Sequence, residues 1–400
     1  MKEAILNMKR YIGTTTRGIR LPIVKKGDDL VDIVFQSVKN AIESENIKVH
    51  DKDVICITES LLARSQGNYA TCDDIAKNVA DKFDGEFGVV FPILSRNRFS
   101  TILIGLAKSG RKLHILLSFP SDEVGNHLMD ENKLYGTGIN PYRDVLTEAQ
   151  YREYFGEEVK HEFTGIDYVK LYKEIAPNSE IYFSNDPRAI LSYTKDVLVA
   201  SIHTRELIKR ELKDNGANLV YGLDDILAEP TDAHGYNVEY GVLGSNMAGP
   251  ESIKLFPRDG KPFVDAVQKR LNEYFDNHFE VMVYGDGAFK DPIGKIWELA
   301  DPVVSPAYTD GLHGTPSELK MKYLADTELK GLSTDEMEKV IIDRIHEKDV
   351  DLLGKDETLG TTPRRLTDLL GSLADLTSGS GDKGTPVVMV QGYFDNYAND

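Results

Sequence analysis

The chain holds only two cysteines, Cys56 and Cys72, among its 400 residues. Two thiols build neither a disulfide framework nor a thiolate metal site, and each is expected as a small buried side chain. No stretch approaches the roughly 18 consecutive apolar residues that a membrane helix requires. The first ten residues, Met1-Lys-Glu-Ala-Ile-Leu-Asn-Met-Lys-Arg10, lack the continuous apolar core of a secretion signal, so a cytoplasmic location is expected. Basic residues are in deficit: 47 Lys and Arg stand against 65 Asp and Glu, a net charge of −18. General binding to nucleic acid or to an anionic membrane needs a positive face, so neither is expected as a partner. A local basic pocket for phosphate remains compatible with that balance. The chain also lacks a Walker phosphate loop, a Rossmann glycine fingerprint and paired histidines at metalloprotease spacing. The glycine-rich run Gly379-Ser-Gly-Asp-Lys-Gly384 follows a helical pattern and precedes a strand, the wrong order for either nucleotide motif, and reads as a mobile loop.

With 41% hydrophobic and 28% charged residues, the composition is that of a soluble globular protein. The length allows one large domain or two to three ordinary ones. Short apolar runs ending in polar turns recur. Residues 19–24 read as a strand and turn, and residues 30–42 have helical spacing with Asp28 or Asp29 as N-cap. Residues 53–58 form a buried-strand pattern, and Thr71-Cys-Asp-Asp74 opens a helix through residue 83. Residues 89–94 and 113–117 read as further strands, while 101–107 is apolar and of open class. The region from about 129 to 236 is rich in Tyr, Glu and Lys, with short strands at 180–183 and 197–202. Residues 263–275, 334–346 and 363–376 have helical spacing, and 387–390 reads as a final strand. These patterns predict an α+β protein of mixed sheets with packed helices. The expected division is residues 1–117, an inserted or extended region 118–236, and 237–400.

Chemistry concentrates in the strand-end turns. Residues 281–284 are a buried-strand pattern that breaks at Gly285-Asp286-Gly287, leaving the Asp286 carboxylate unshielded, with Lys290 and Asp291 close behind. Carboxylates presented this way suit hard cations such as Mg²⁺ or Mn²⁺, with room left for phosphate oxygens, and a charged hairpin or strand-to-loop turn would have the same sequence. Asp122 and Glu123, in Pro120-Ser-Asp-Glu-Val-Gly-Asn126, offer oxygen ligands at similar density, or a turn-capping group. Arg64, Arg96 and Arg98 stand in two other strand-end turns, where guanidinium forks suit phosphate and carboxylate recognition, or pair with nearby acids. The lone Trp297 reads as core.

In order along the chain, these segments resemble the coenzyme F-420 γ-glutamyl ligase family. The likeness lies in Arg17-Gly-Ile-Arg-Leu-Pro-Ile-Val-Lys-Lys-Gly-Asp-Asp-Leu30, in Asp53-Val-Ile-Cys-Ile-Thr-Glu-Ser-Leu-Leu-Ala-Arg-Ser-Gln-Gly67, in Tyr240-Gly-Val-Leu-Gly-Ser-Asn246, in residues 281–286 and in residues 365–392. The resemblance implies that family's fold, enlarged by a long middle region. It implies a homodimer that uses GTP (or ATP), divalent metal and L-glutamate to form an amide on a small-molecule carboxylate through an acyl phosphate. On this chain, the metal would fall to Asp286, helped by Asp122, Glu123 and Asp291. Arg64, Arg96 and Arg98 would act in catalysis. Ser60, Gly67, Ser245, Asn246, Lys290 and Asp382 would bind nucleotide or substrate. Departures stand out: the acid of the family's Gly-Ile-Asp turn is Leu243, the Lys after the first strand is Arg64, and the acid of the C-terminal loop aligns nearest Ser380, with Asp382 as substitute. Leu243 leaves open a non-catalytic nucleotide- or cofactor-binding protein of this fold. A ligase for a folate-like acceptor is also compatible with these residues, as is a metal-dependent phosphotransferase or hydrolase.

Overall fold

The computed structural model describes residues 11–399 except 162–163, 231–235, 286–288, 291–296, 299–304, 349–351, 353–354, 359–363 and 379–381, and it leaves the side chains of 289, 290, 297, 298, 357, 378 and 399 undescribed. The chain opens with β1 (Thr15–Ile19) and the amphipathic helix α1 (Leu30–Ser44). Asp29 caps α1 by accepting the Asp32 N–H at 3.0 Å. β2 (Val54–Thr58) runs straight into α2 (Glu59–Gln66), where Thr58 Oγ1 accepts the Leu61 N–H. After β3 (Tyr69–Thr71), Thr71 and Asp74 form a reciprocal capping box on α3 (Cys72–Lys82).

Then come β4 (Phe87–Val90), α4 (Phe99–Lys108) and β5 (Leu113–Leu117). The run expected as a strand over 89–94 stops at Val90, because Phe91 turns to a left-handed φ of 54°. The open-class segment 101–107 is the middle of α4. The middle of the chain adds β6 (Leu146–Thr147), α5 (Glu148–Phe155), α6 (Tyr168–Ile175), β7 (Ser179–Phe183), β8 (Asp196–Val199), α7 (Arg205–Asp214) and β9 (Leu219–Gly222). The C-terminal part contributes β10 (Asn246–Gly249), β11 (Ser252–Lys254), α8 (Gly260–Phe275), β12 (Glu280–Tyr284), the short pair β13 (Phe289–Lys290) and β14 (Trp297–Glu298), and β15 (Ala307–Tyr308). It closes with α9 (Met321–Thr327), α10 (Thr334–Glu347), α11 (Leu366–Ser378) and β16 (Val387–Gln391).

Two large sheets result, and the α+β expectation holds. The first is five-stranded, in the order β1-β16-β2-β12-β15. Its central strands are buried throughout, which is why residues 54–57, 281–283 and 387–390 read as unbroken apolar runs rather than alternating ones. α1 and α8 cover one face, with Val34, Val38, Val264, Val267 and Leu271 packed on Ile55, Ile57, Val281 and Val283. The other face meets Leu370 and Ala374 of α11. The first strand lies at 15–19 rather than 19–24; its partner β16 fixes the register at Ile19↔Val387.

The second sheet is six-stranded, in the order β6-β7-β5-β4-β8-β9, and every pairing is parallel except the edge strand β6. From β4 the chain steps outward through β5 to β7, then returns across β4 to β8 and β9. This is a doubly wound sheet whose winding reverses between β4 and β8. The expected boundary at 117/118 therefore falls between β5 and β7, neighbours in one sheet, and this second unit runs from about Phe87 to Gly222. A small third sheet, β10-β11-β3, lies between them in sequence terms: β3 precedes the second unit and β10-β11 follow it.

Candidate active site at the end of the five-stranded sheet

Parallel pairing of β2 with β12 sets Thr58 beside Tyr284, so both strands leave the sheet at the same end. β16 runs the other way and enters there: the Thr58 N–H donates to Pro386 O at 3.0 Å. β1 leaves there too, with the Leu21 N–H on Gly384 O at 3.3 Å. Four segments distant in sequence thus meet at one sheet end: the turn after β1, the head of α2, the chain leaving β12 toward Asp286, and the last part of the glycine loop. Glu59 is buried at the head of α2. Asp286 and Asp291 lie outside the described residues, as does the Lys290 side chain.

The third sheet closes over this end. Ser252, Ile253 and Lys254 of β11 pair with Thr71, Ala70 and Tyr69, and Lys254 stands opposite Asn246 of β10. Directly opposed residues of an antiparallel pair project from one face. The Lys254 ammonium donates to the Ser60 hydroxyl in the first turn of α2. Ser60 and Asn246, expected to bind ligand, are therefore gathered around a lysine that no motif singles out. The available signal was a single cation in Ser252-Ile-Lys254, an alternating strand pattern within an acidic chain.

The other expected residues fall into different surroundings. Arg64 is exposed in the last turn of α2, and its Nε donates to Val24 O at 2.7 Å, tying the turn after β1 to the helix. Gly67 ends α2 with φ 62°, and a side chain there would overlap Lys26, so its glycine serves the helix end. Arg98 is only 4% exposed and its Nη1 donates to Gly244 O at 3.3 Å, while the Met247 N–H donates to Asn97 O at 2.8 Å. The 95–98 turn thus clamps the strand that carries Asn246. Arg96 is exposed beside Arg98. Asp382 is exposed in the glycine loop.

Asp122 and Glu123 are engaged in holding turns. Asp122, 7% exposed, accepts N–H groups of Leu94 (2.8 Å), Val124 (3.1 Å) and Asn126 (2.8 Å), and the Asn126 amide at 2.8 Å. Four donors occupy both oxygens, and burial pushes its pKa up to about 6 against their pull. Glu123 accepts from Ser201 Oγ at 3.0 Å and from the N–H groups of Ile202 and His203. Among the described residues no three His, Cys, Asp or Glu side chains group as a metal site. Leu243, at the position of the family's turn acid, is 1% exposed in the core of the second unit. It lines a cavity of about 20 Å³ with Ile93, Ala200, Leu223 and Ser245, where the winding of the six-stranded sheet reverses. Such crevices hold ligands in open doubly wound sheets. Here the turn before β10 fills it, and Ser245 is buried beneath that turn rather than at the sheet end.

Cys56 and Cys72 are both buried, and burial raises both thiols above their ordinary pKa. Among the described residues no helix is long and apolar enough to cross a membrane. No curated protein matches the chain. The family model F420-0:Gamma-glutamyl ligase matches residues 18–392, nearly the whole sequence, and so takes in both large sheets and the site between their connecting turns. The chain belongs to the F420-0:gamma-glutamyl ligase family.

Proposed function

We propose that this family member is a nucleotide- and divalent-metal-dependent ligase that joins L-glutamate to a carboxylate of a small, cofactor-like acceptor. The observation that carries the reading is the meeting of Ser60, Lys254, Asn246 and the chain leading to Asp286 at one end of the five-stranded sheet. In the proposed reaction an acceptor carboxylate oxygen attacks the γ-phosphorus of GTP (or ATP), and the nucleoside diphosphate leaves. The glutamate amine then attacks the acyl carbon, inorganic phosphate leaves, and the amine nitrogen gives up its proton. Positioning and charge compensation dominate such transfers. When bound, Mg²⁺ or Mn²⁺ would neutralise phosphate charge; Asp286 is its proposed ligand, with Asp291 as helper. Among the described residues the carboxylates Asp122 and Glu123 do not fit that task, since backbone N–H groups already fill them.

The chain's own parts supply the rest. Ser60 and Asn246 orient anionic oxygens, and the loop ending at Gly384 borders the site where water must be kept from an acyl phosphate. A homodimer is part of the proposal, tested by light scattering. The reading itself is tested by incubating the protein with GTP or ATP, Mg²⁺ or Mn²⁺, L-glutamate and a deazaflavin carboxylate. Phosphate release that needs both glutamate and acceptor, with product heavier by one glutamyl residue, is the expected result. A second acceptor class, folate-like, belongs in the same panel. Nucleotide consumption indifferent to glutamate would instead favour a phosphotransferase or hydrolase.

A further inference from the structure

We propose that Lys254 is the principal cation of this site, forming with Ser60 and Asn246 a seat for the anionic oxygens of a phosphoryl group or an acyl phosphate. The proposal rests on the ligase reading and identifies the residue that supplies a charge the reading requires.

Three observations carry it. First, Lys254 is half-buried, and the partner its ammonium has is the neutral Ser60 hydroxyl. Among the described residues no carboxylate pairs with it. Half-buried Lys209 meets Asp225 at 3.0 Å, Lys108 meets Glu251 at 2.8 Å and Asp73 at 3.0 Å, and half-buried Lys173 and Lys348 donate to the backbone carbonyls of Ser179 and Ser317, whereas Lys254 meets a hydroxyl. An ammonium partly removed from water without a counter-charge is unfavourable, and an anionic ligand reverses that cost. Second, the arginine that takes the place of the family's strand-end lysine is engaged elsewhere. Arg64 spends its Nε on Val24 O and is exposed, so its guanidinium is engaged in tying the turn after β1 to α2. Lys254 brings a positive charge to the same helix from β11. Third, its surroundings suit an anion. Ser60 follows Thr58 by two residues, Thr58 is the strand neighbour of Tyr284, and Asn246 shares a face with Lys254. The Ser60 hydroxyl and the Lys254 ammonium then meet, with Asn246 on the same face of the β10-β11 ribbon, near the end where β12 leads to Asp286. A lysine on a flexible stem, with three rotatable donors, can follow phosphoryl oxygens from donor to acceptor where a rigid guanidinium fork would not.

The competing role is a tether that only ties β11 to α2. Competitive acetylation of the whole protein separates the two, read by mass spectrometry at Lys254 with Lys261 as reference amine. Saturating inorganic tripolyphosphate should slow Lys254 acetylation about tenfold or more while leaving Lys261 unchanged. Lys254→Met should melt cooperatively yet lose the thermal shift that tripolyphosphate gives the wild type, and Lys254→Arg should recover part of it. Glutamate-dependent nucleotide turnover by Lys254→Met should fall about 100-fold or more. Equal acetylation with and without tripolyphosphate overturns the proposal, as does wild-type turnover in Lys254→Met. Protection of Lys254 in a wild-type protein that shows no glutamate-dependent turnover would sustain the anion seat and reject the ligase reading.

Discussion

The two large sheets of this protein treat their ends in opposite ways. At the end of the five-stranded sheet, backbone from four distant parts of the chain converges, and the Lys254 ammonium meets the Ser60 hydroxyl with Asn246 paired opposite Lys254 across the strands. At the reversal point of the six-stranded sheet, where doubly wound proteins usually hold a ligand, the turn carrying Leu243 and Gly244 packs into the crevice. The difference teaches that a fold's habitual binding place is not automatically its site. Here the second unit acts as a frame. Its 95–98 turn grips the Gly244 and Met247 backbone and so fixes the strand that presents Asn246 to the other sheet.

Changes at the two ends should therefore differ in kind. The largest effect on activity is expected from Asp286→Ala, which should abolish metal-dependent turnover, a loss of about 1,000-fold or more, with the melting curve nearly unchanged. Loss of cooperative unfolding in that variant would make Asp286 structural. The largest effect on stability is expected from Gly244→Ala. Gly244 has φ 70°, and a Cβ there would overlap the Phe256 ring, so a loss of roughly 2–4 kcal/mol is expected by denaturant unfolding. Activity should fall with it, because the strand bearing Asn246 loses its anchor.

Asp122→Ala would strand the buried N–H groups of Leu94, Val124 and Asn126, and should destabilise by about 2–4 kcal/mol with KM for nucleotide little changed in the folded fraction. The same carboxyl gives a pH test. Its folded pKa, about 6, lies above the ordinary value of 3.8, so between them the folded state holds the extra proton. Stability from this group is present below about pH 4 and falls as pH rises toward 6. Comparing urea midpoints of wild type and Asp122→Asn across that window should show the wild type alone losing stability on this account. The smallest effect is expected from Arg64→Lys: turnover within about threefold of wild type, since Arg64 is exposed and its Nε is engaged with Val24 O.

Much of the five-stranded sheet was legible because its central strands are buried on both faces and the helix that follows β1 carries a clear cap, Asp29 on α1. The six-stranded sheet was harder to read. Its strands are two to five residues long, and what makes them one sheet is the order of pairing, which no local pattern contains. Phe91 shows the local limit: a bulky residue in the left-handed region ended a strand that its sequence continued. At the site, types of residue were legible and directions were not. Arg64 and Lys254 are both cations near the Ser60 helix; only the fold turns one toward Val24 and the other toward Ser60. Asp122 likewise has the composition of a metal ligand and the hydrogen bonds of a turn anchor.

The most direct test follows product mass and phosphate release together. Wild type, Asp286→Ala and Asp122→Asn would each be given GTP or ATP, Mn²⁺, L-glutamate and a deazaflavin or folate-like carboxylate. The predicted result is glutamyl transfer coupled to phosphate release in wild type, near-wild-type transfer by the folded fraction of Asp122→Asn, and none by Asp286→Ala. Equal transfer by Asp286→Ala and wild type, or transfer lost only in Asp122→Asn, would move the site away from the five-stranded sheet and contradict its assignment there.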